Sequence, residues 1–149
     1  MKKSYLLLFT CFCLLFFTEA FSQSKIKPFH AGIYQGGIVT QVAFGTDFEK
    51  QYFGELRFTA SDVLNYPFGV EGYFNRNLKR TDWYNIHLGV MLGVMEFGNV
   101  RAGLPLGVTI KPIEGHRNFG VLLEATPNFF IDNGFGLRGN LGIRYSFGG

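Results

Sequence analysis

The amino-acid sequence predicts an all-β protein, an up-and-down barrel of eight antiparallel strands. The clearest observation is the stretch 135–147, in which every odd position is apolar, aromatic or Gly and every even position is small or polar. A period of two places successive side chains on opposite faces of an extended strand. The same alternation recurs between turn-forming residues along the chain. We therefore expect a sheet with one apolar face and one polar face.

Four strands are predicted in the first half of the domain, over residues 29–34, 38–48, 51–60 and 68–78. The last three carry alternating apolar residues: Ile38, Val42, Phe44 and Phe48; Tyr52, Leu56 and Phe58; Phe68, Val70 and Phe74. The strand over 29–34 is inferred because single-chain bacterial barrels normally have an even number of strands. Gln35, Gly36 and Gly37 then form a tight hairpin turn. The alternative is one long strand over 29–44.

The second half predicts strands over residues 83–95, 100–111, 118–131 and 135–147. Their alternation is more regular, and the apolar faces of the first three are Tyr84, Ile86, Leu88, Val90, Leu92 and Val94; Val100, Ala102, Leu104, Leu106, Val108 and Ile110; Phe119, Val121, Leu123, Ala125, Phe129 and Ile131. Turn-forming residues such as Asp132, Asn133 and Gly134 separate them. These predicted strands have about 10–13 residues, which suits a tilted membrane crossing.

The first 22 residues are typical of a secretory signal peptide. Lys2 and Lys3 precede an apolar stretch over 5–17, and Ala20 and Ser22 supply the small residues before a cleavage site at Ser22/Gln23. Cleavage leaves one domain over residues 23–149 without Cys, since both cysteines lie in the removed segment. With 14 Lys and Arg against 11 Asp and Glu, the charge balance is not that of a nucleic-acid-binding protein.

The two faces of the sheet indicate whether the barrel lies in water or in a membrane. The polar face carries few charges among Gly and Asn, and these are predicted to pair in a narrow lumen: Glu55, Arg57, Glu71, His87, Arg101, Glu124, Arg138 and Arg144. The apolar face has aromatic residues at the strand ends, as in transmembrane barrels. We therefore predict a transmembrane β-barrel with a polar lumen. A secreted soluble barrel, lipocalin-like and apolar inside, has the same alternation and remains the alternative.

The end of the chain supports a resemblance to a known family. Residues 142–147, Gly-Ile-Arg-Tyr-Ser-Phe, resemble the C-terminal strand of outer-membrane β-barrel proteins. Together with residues 104–108 and 124–127, they resemble the small single-domain barrels of the Bacteroidota type, over residues 68–147. The resemblance implies insertion by the barrel-assembly machinery, with Leu141, Ile143, Tyr145 and Phe147 as the assembly signal. Gly148 and Gly149 depart from the family pattern, in which the closing aromatic is usually last.

Enzymatic chemistry finds little support in the sequence. The Ser residues of the domain are Ser24, Ser61 and Ser146, and none is expected to pair with His87. No spacing of His30, His87 and His116 suits a metal, and no catalytic, cofactor or metal residue is assigned. An open pore is not expected from eight strands, and only the predicted outer loop at 60–67 exceeds a turn.

The expected protein is thus a non-enzymatic, monomeric barrel in the outer membrane of a Gram-negative bacterium. Its partners would be outer-membrane lipid and, during insertion, the assembly machinery, with no nucleic acid and no cofactor. Its role would be in envelope structure or interaction. The alternatives are the soluble barrel, binding a small apolar ligand, and an outer-membrane enzyme that modifies lipid A.

Overall fold

The computed structural model describes residues 28–37, 39–59, 68–95, 100–130 and 134–148. Its strands are β1 (Phe29–Gly36), β2 (Val39–Thr46), β3 (Tyr52–Thr59), β4 (Gly69–Arg80), β5 (Tyr84–Met95), β6 (Val100–Gly103), β7 (Leu106–Ile110), β8 (Phe119–Phe130) and β9 (Gly134–Phe147). The predicted signal peptide and its cleavage site, Ser24, Ser61, the loops at 60–67 and 96–99, and residues 38, 131–133 and 149 lie outside the described residues. No helix in the described ranges is long and apolar enough to cross a membrane.

The first and last strands pair and close the sheet into a barrel. β1 pairs antiparallel with both β2 and β9, and its register places Phe29 opposite Phe147. The other neighbours follow chain order, so the barrel has no free edge. The predicted all-β, antiparallel, eight-stranded architecture is confirmed, and so is the first strand. Because Gly36 pairs with Val39 across a two-residue connection, the alternative of one long strand over 29–44 is wrong.

A ninth strand segment arises because the predicted strand 100–111 is interrupted at Leu104 and Pro105. Both halves, β6 and β7, pair with β5 on one side and β8 on the other. Pro has no N–H to donate to a ladder. The carbonyl of Pro105 nevertheless accepts a hydrogen bond from the Gly89 amide at 2.9 Å. The two segments therefore share one position in the barrel, which keeps eight strand positions.

β2 and β3 are shorter than predicted, whereas β1 extends past the predicted 29–34, so that Gln35 and Gly36 belong to the strand and not to the hairpin turn. β1, β2 and β3 have 8 residues each, whereas β4, β5 and β8 have 12 and β9 has 14. β2 and β3 stop early because the turn between them, residues 47–51, folds over the barrel opening with Phe48 only 1% exposed. We call this opening, where the first strand begins and the last ends, the terminal end, and the opposite opening the distal end.

Alternation sorts the side chains into a polar interior and an apolar exterior. The buried set is dominated by polar and charged residues, and most of the large apolar residues are exposed, among them Leu92 at 67% and Leu137 at 71%. Exposed charges in the described strands are confined to the last five residues of β4, where they are Arg76, Lys79 and Arg80.

Glycines on the interior face make room for large inward side chains. A Cβ added to Gly45 would lie 2.4 Å from the His30 ring, and one at Gly107 would lie 2.5 Å from the His87 ring. Both approaches are shorter than real Cβ contacts allow, so these positions admit the rings only because they lack a side chain. The narrow lumen thus accommodates long polar residues without spreading the strands.

Candidate functional site

Arg57 lies at the centre of the polar lumen and joins two carboxylates. Its terminal nitrogens donate a bidentate pair of hydrogen bonds to Glu124, at 2.7 and 2.8 Å, and its Nε donates to Glu55. The guanidinium also lies over the rings of Tyr34 and Tyr73, 4.5 and 3.8 Å from their centroids. Bidentate geometry suits the planar Arg fork, so β3 is tied to β8 across the barrel.

Glu55 has three further contacts on the same level. The hydroxyl of Tyr34 donates to it at 3.0 Å, and the Nε2 atom of His30 lies 2.6 Å from its Oε2 atom. Arg144 approaches from β9, 3.8 Å away. Glu124, in turn, accepts from the Asn140 amide at 3.0 Å. Both carboxylates are buried, and each is opposed by a cation, as buried charges require.

A second cluster lies towards the distal end, around Glu71. Arg138 donates to it in a bidentate arrangement at 2.9 and 2.8 Å, and Arg101 forms a further ion pair. The hydroxyl of Tyr73 donates to the same carboxylate at 2.6 Å, and the Gln41 amide at 3.0 Å. Arg101 and Arg138 also line a cavity of about 300 Å³ that opens at the distal end. This cluster links β4 to β6 and β9.

A third cluster closes the terminal end. Lys111 is buried, and its Nζ donates to Glu49 at 3.0 Å and to the Thr81 carbonyl at 2.7 Å. Asn77 donates to the carbonyls of Phe48 and Lys50, at 2.8 and 2.6 Å. These bonds hold the β2–β3 turn in place, so that the Phe48 ring covers the lumen beneath the Arg144 guanidinium, which lies 4.5 Å from the ring centroid.

His87 lies beside Glu124 and Phe53 without a side-chain hydrogen bond to any residue that the structure describes. Its Nε2 lies 3.7 Å from Glu124, beyond hydrogen-bond distance, and its ring packs edge-on against Phe53. Both its ring nitrogens are buried without a hydrogen-bond partner among the described residues. No hydrogen bond joins it to Ser146, the one serine in the described part of the chain. Nor do the described His, Asp and Glu residues form a group that could hold a metal ion.

The residues assigned to the lumen network from sequence all lie on the interior side of the barrel. The structure joins seven of them in the two inner clusters: Glu55, Arg57, Glu124 and Arg144 in one, and Glu71, Arg101 and Arg138 in the other. His87 lies beside the first cluster without completing a hydrogen bond.

Sequence reasoning missed several members of the clusters. These are His30, Tyr34, Gln41, Tyr73, Lys111 and Glu49. The signal for two of them was available, because His30, Gly32, Tyr34 and Gly36 alternate along β1 as a small and polar face. Glu49 could not be found in this way, since it lies in a turn, where the period of two does not apply.

The residues assigned to the C-terminal assembly signal lie on the opposite face. Leu141, Ile143, Tyr145 and Phe147 are all exposed along the outer side of β9. Phe147 stacks on Phe29 with ring centroids 5.0 Å apart, at the place where the first and last strands meet.

Comparison with known proteins finds no match among protein-family models, curated sequences or solved structures. The functional interpretation therefore rests on the side chains of this barrel.

Proposed function

We propose that this chain is an integral outer-membrane β-barrel protein without enzymatic activity, in the envelope of a Gram-negative bacterium. The observation that carries the proposal is the apolar outer surface of the strands, whose exposed charges are confined to the end of β4. A continuous apolar belt of this extent is unfavourable in water. In a bilayer the same belt would contact hydrocarbon, and the closed sheet gives every strand a hydrogen-bonded neighbour on both sides.

The distribution of outward aromatic residues supports the same proposal. Phe29, Tyr145 and Phe147 lie at the terminal end, and Phe129 and Phe135 at the distal end, with mainly aliphatic residues between. Aromatic side chains at both ends of an apolar belt are typical of proteins that cross a bilayer. We place the terminal end in the periplasm, because β1 begins and β9 ends there. Insertion would use the assembly machinery, which reads the outward residues of β9.

The polar interior favours a structural role over ligand binding. A soluble barrel that binds an apolar ligand needs an apolar cavity, whereas Arg57, Glu55 and Glu124 occupy the middle of this lumen. A lipid A-modifying enzyme needs an activated nucleophile near its base, and His87 has no serine within hydrogen-bond distance among the described residues. These observations favour a filled, monomeric barrel that contributes to envelope structure or to interactions at the envelope.

Cell fractionation combined with gel mobility tests the proposal. We expect the protein in the outer-membrane fraction, with an unboiled form that migrates differently from the boiled form. N-terminal sequencing of that form should begin at Gln23. A water-soluble periplasmic protein with no mobility change on boiling would overturn the proposal. The lipid A-modifying alternative is tested with His87→Ala. If the protein were such an enzyme, the wild type would change the acylation of lipid A, and the folded variant would not.

A further inference from the structure

An apolar groove on the outer surface of the barrel lies beside exposed cationic side chains. It has a volume of about 740 Å³, within the range of about 300–1,000 Å³ found for small-molecule sites. Its floor lies at Gly54 on β3 and Gly72 on β4, and Phe44, Leu56 and Phe74 line it. In the register of the two strands, each glycine faces a large residue, since Gly54 pairs with Phe74 and Gly72 with Leu56. The groove is thus a recess within a surface of bulky side chains.

A cationic group stands at the end of this groove nearest the terminal end. Phe74 stacks on Tyr52, with ring centroids 5.9 Å apart, and the Arg76 guanidinium lies 5.8 Å from the Tyr52 centroid. Lys79 follows on the same strand, with its Nζ 5.4 Å from the Tyr84 centroid. Within the described residues neither Arg76 nor Lys79 forms an ion pair. The nearby carboxylate of Glu49 is already paired with Lys111.

We propose that this groove binds one glycerophospholipid of the periplasmic leaflet. The acyl chain would lie over Gly54 and Gly72, and the headgroup phosphate would meet Arg76 and Lys79. The chemistry is complementary, because an apolar recess continues into uncompensated positive charge, as a lipid's acyl chain continues into its phosphate. The inference rests on the proposed membrane location, which places the terminal end, and hence Arg76, at the periplasmic leaflet.

The two floor glycines allow the groove to be filled without disturbing the fold. A Cβ at Gly54 would meet nothing closer than 3.8 Å, and one at Gly72 nothing closer than 3.9 Å. Gly139 on β9 is a matched control, because it lies in an exposed strand position and a Cβ there would meet nothing within 4 Å. Arg117 lies in the β7–β8 connection, and its guanidinium lies over the Trp83 ring. It is the control for loss of a surface cation.

The experiment is native mass spectrometry of the protein reconstituted with palmitoyl-oleoyl phosphatidylglycerol and then stripped with mild detergent. We expect the wild type, Gly139→Leu and Arg117→Gln to retain one lipid, and Gly72→Leu and Arg76→Gln to lose retention at least five-fold. If Gly72→Leu lacks the mobility change on boiling and so has not folded, Gly54→Leu is used in its place. Equal retention by wild type and filled-groove variants would overturn the inference, as would no retention by the wild type. The mobility change tests the membrane proposal independently.

Discussion

At the scale of single residues, Arg57 is the most consequential side chain of the lumen. It is 1% exposed and contacts both Glu55 and Glu124. We expect Arg57→Met to lower the free energy of unfolding by about 3–5 kcal/mol, because two buried carboxylates lose their main cation. Urea titration of the protein folded in lipid vesicles measures this change.

The matched control for this prediction is Arg80→Met, which makes the same chemical change on the outside. Arg80 is exposed, forms no ion pair within the described residues and donates one exposed hydrogen bond, to the Glu49 carbonyl at 3.1 Å. We therefore expect the free energy of unfolding to change by about 1 kcal/mol or less. Equal effects of the two substitutions would contradict the view that the inner network contributes stability through paired charge.

A second prediction at this scale concerns the outer face. Leu123 lies mid-strand on β8, opposite Leu141, and is 47% exposed. We expect Leu123→Arg to cost about 2–4 kcal/mol in a bilayer, because the charge would lie near its midplane. Leu78→Arg, near the terminal end of β4, should cost about 0–1 kcal/mol. Unfolding titrations in vesicles compare the two, and equal small costs would contradict a lipid-facing belt.

At the scale of elements, the strands were predictable where alternation alone decides structure. The regular pattern of the second half predicts β5, β8 and β9 to within one or two residues, because each residue there has a clear inward or outward preference. Two local events were not predictable. Pro105 splits a strand without changing the alternation of its neighbours, and the β2–β3 turn folds inward because Lys111 and Asn77, distant in sequence, bind it.

The same limit applies to the lumen network. Alternation identifies which charged residues share a face, but the choice of partner depends on the barrel's closure and register. The ion pair of Arg57 with Glu124 joins residues 67 positions apart in the chain, and nothing in their local sequence specifies it. Arg138 and Glu71, also 67 positions apart, show the same dependence.

The closing strand, β9, is expected to direct assembly through its last aromatic residue. Phe147 stacks on Phe29 across the β1–β9 seam and is the last aromatic of the predicted assembly signal. We expect Phe147→Ala to reduce the amount of folded protein in the outer membrane several-fold in cells, measured on gels of unboiled fractions. Phe129→Ala is the control, because it removes a comparable pair, Phe129 with Phe135, at the other end. Equal losses would show a general need for aromatic residues instead of a terminal signal.

At the scale of the whole molecule, the lumen is filled in three successive levels. Glu71 with Arg101 and Arg138 lies towards the distal end, Arg57 with its two carboxylates lies in the middle, and Phe48 covers the terminal end. The levels are connected, because Arg138 and Arg144 both lie on β9 and Tyr73 contacts both Arg57 and Glu71. An eight-stranded barrel has an interior just wide enough for such side chains.

This filling predicts that the protein does not conduct ions in a planar lipid bilayer. We expect no conductance steps for the wild type, because ions would have to pass both the Arg57 level and the Phe48 ring. The double variant Arg57→Ala with Phe48→Ala removes both barriers and should give small steps, well below those of a wide porin. Leu123→Ala, on the outer face, should stay silent. Conductance steps from the wild type would contradict a filled lumen. If the double variant conducts no ions but still shows the mobility change on boiling, the barrier to ions lies at Glu71, Arg101 and Arg138.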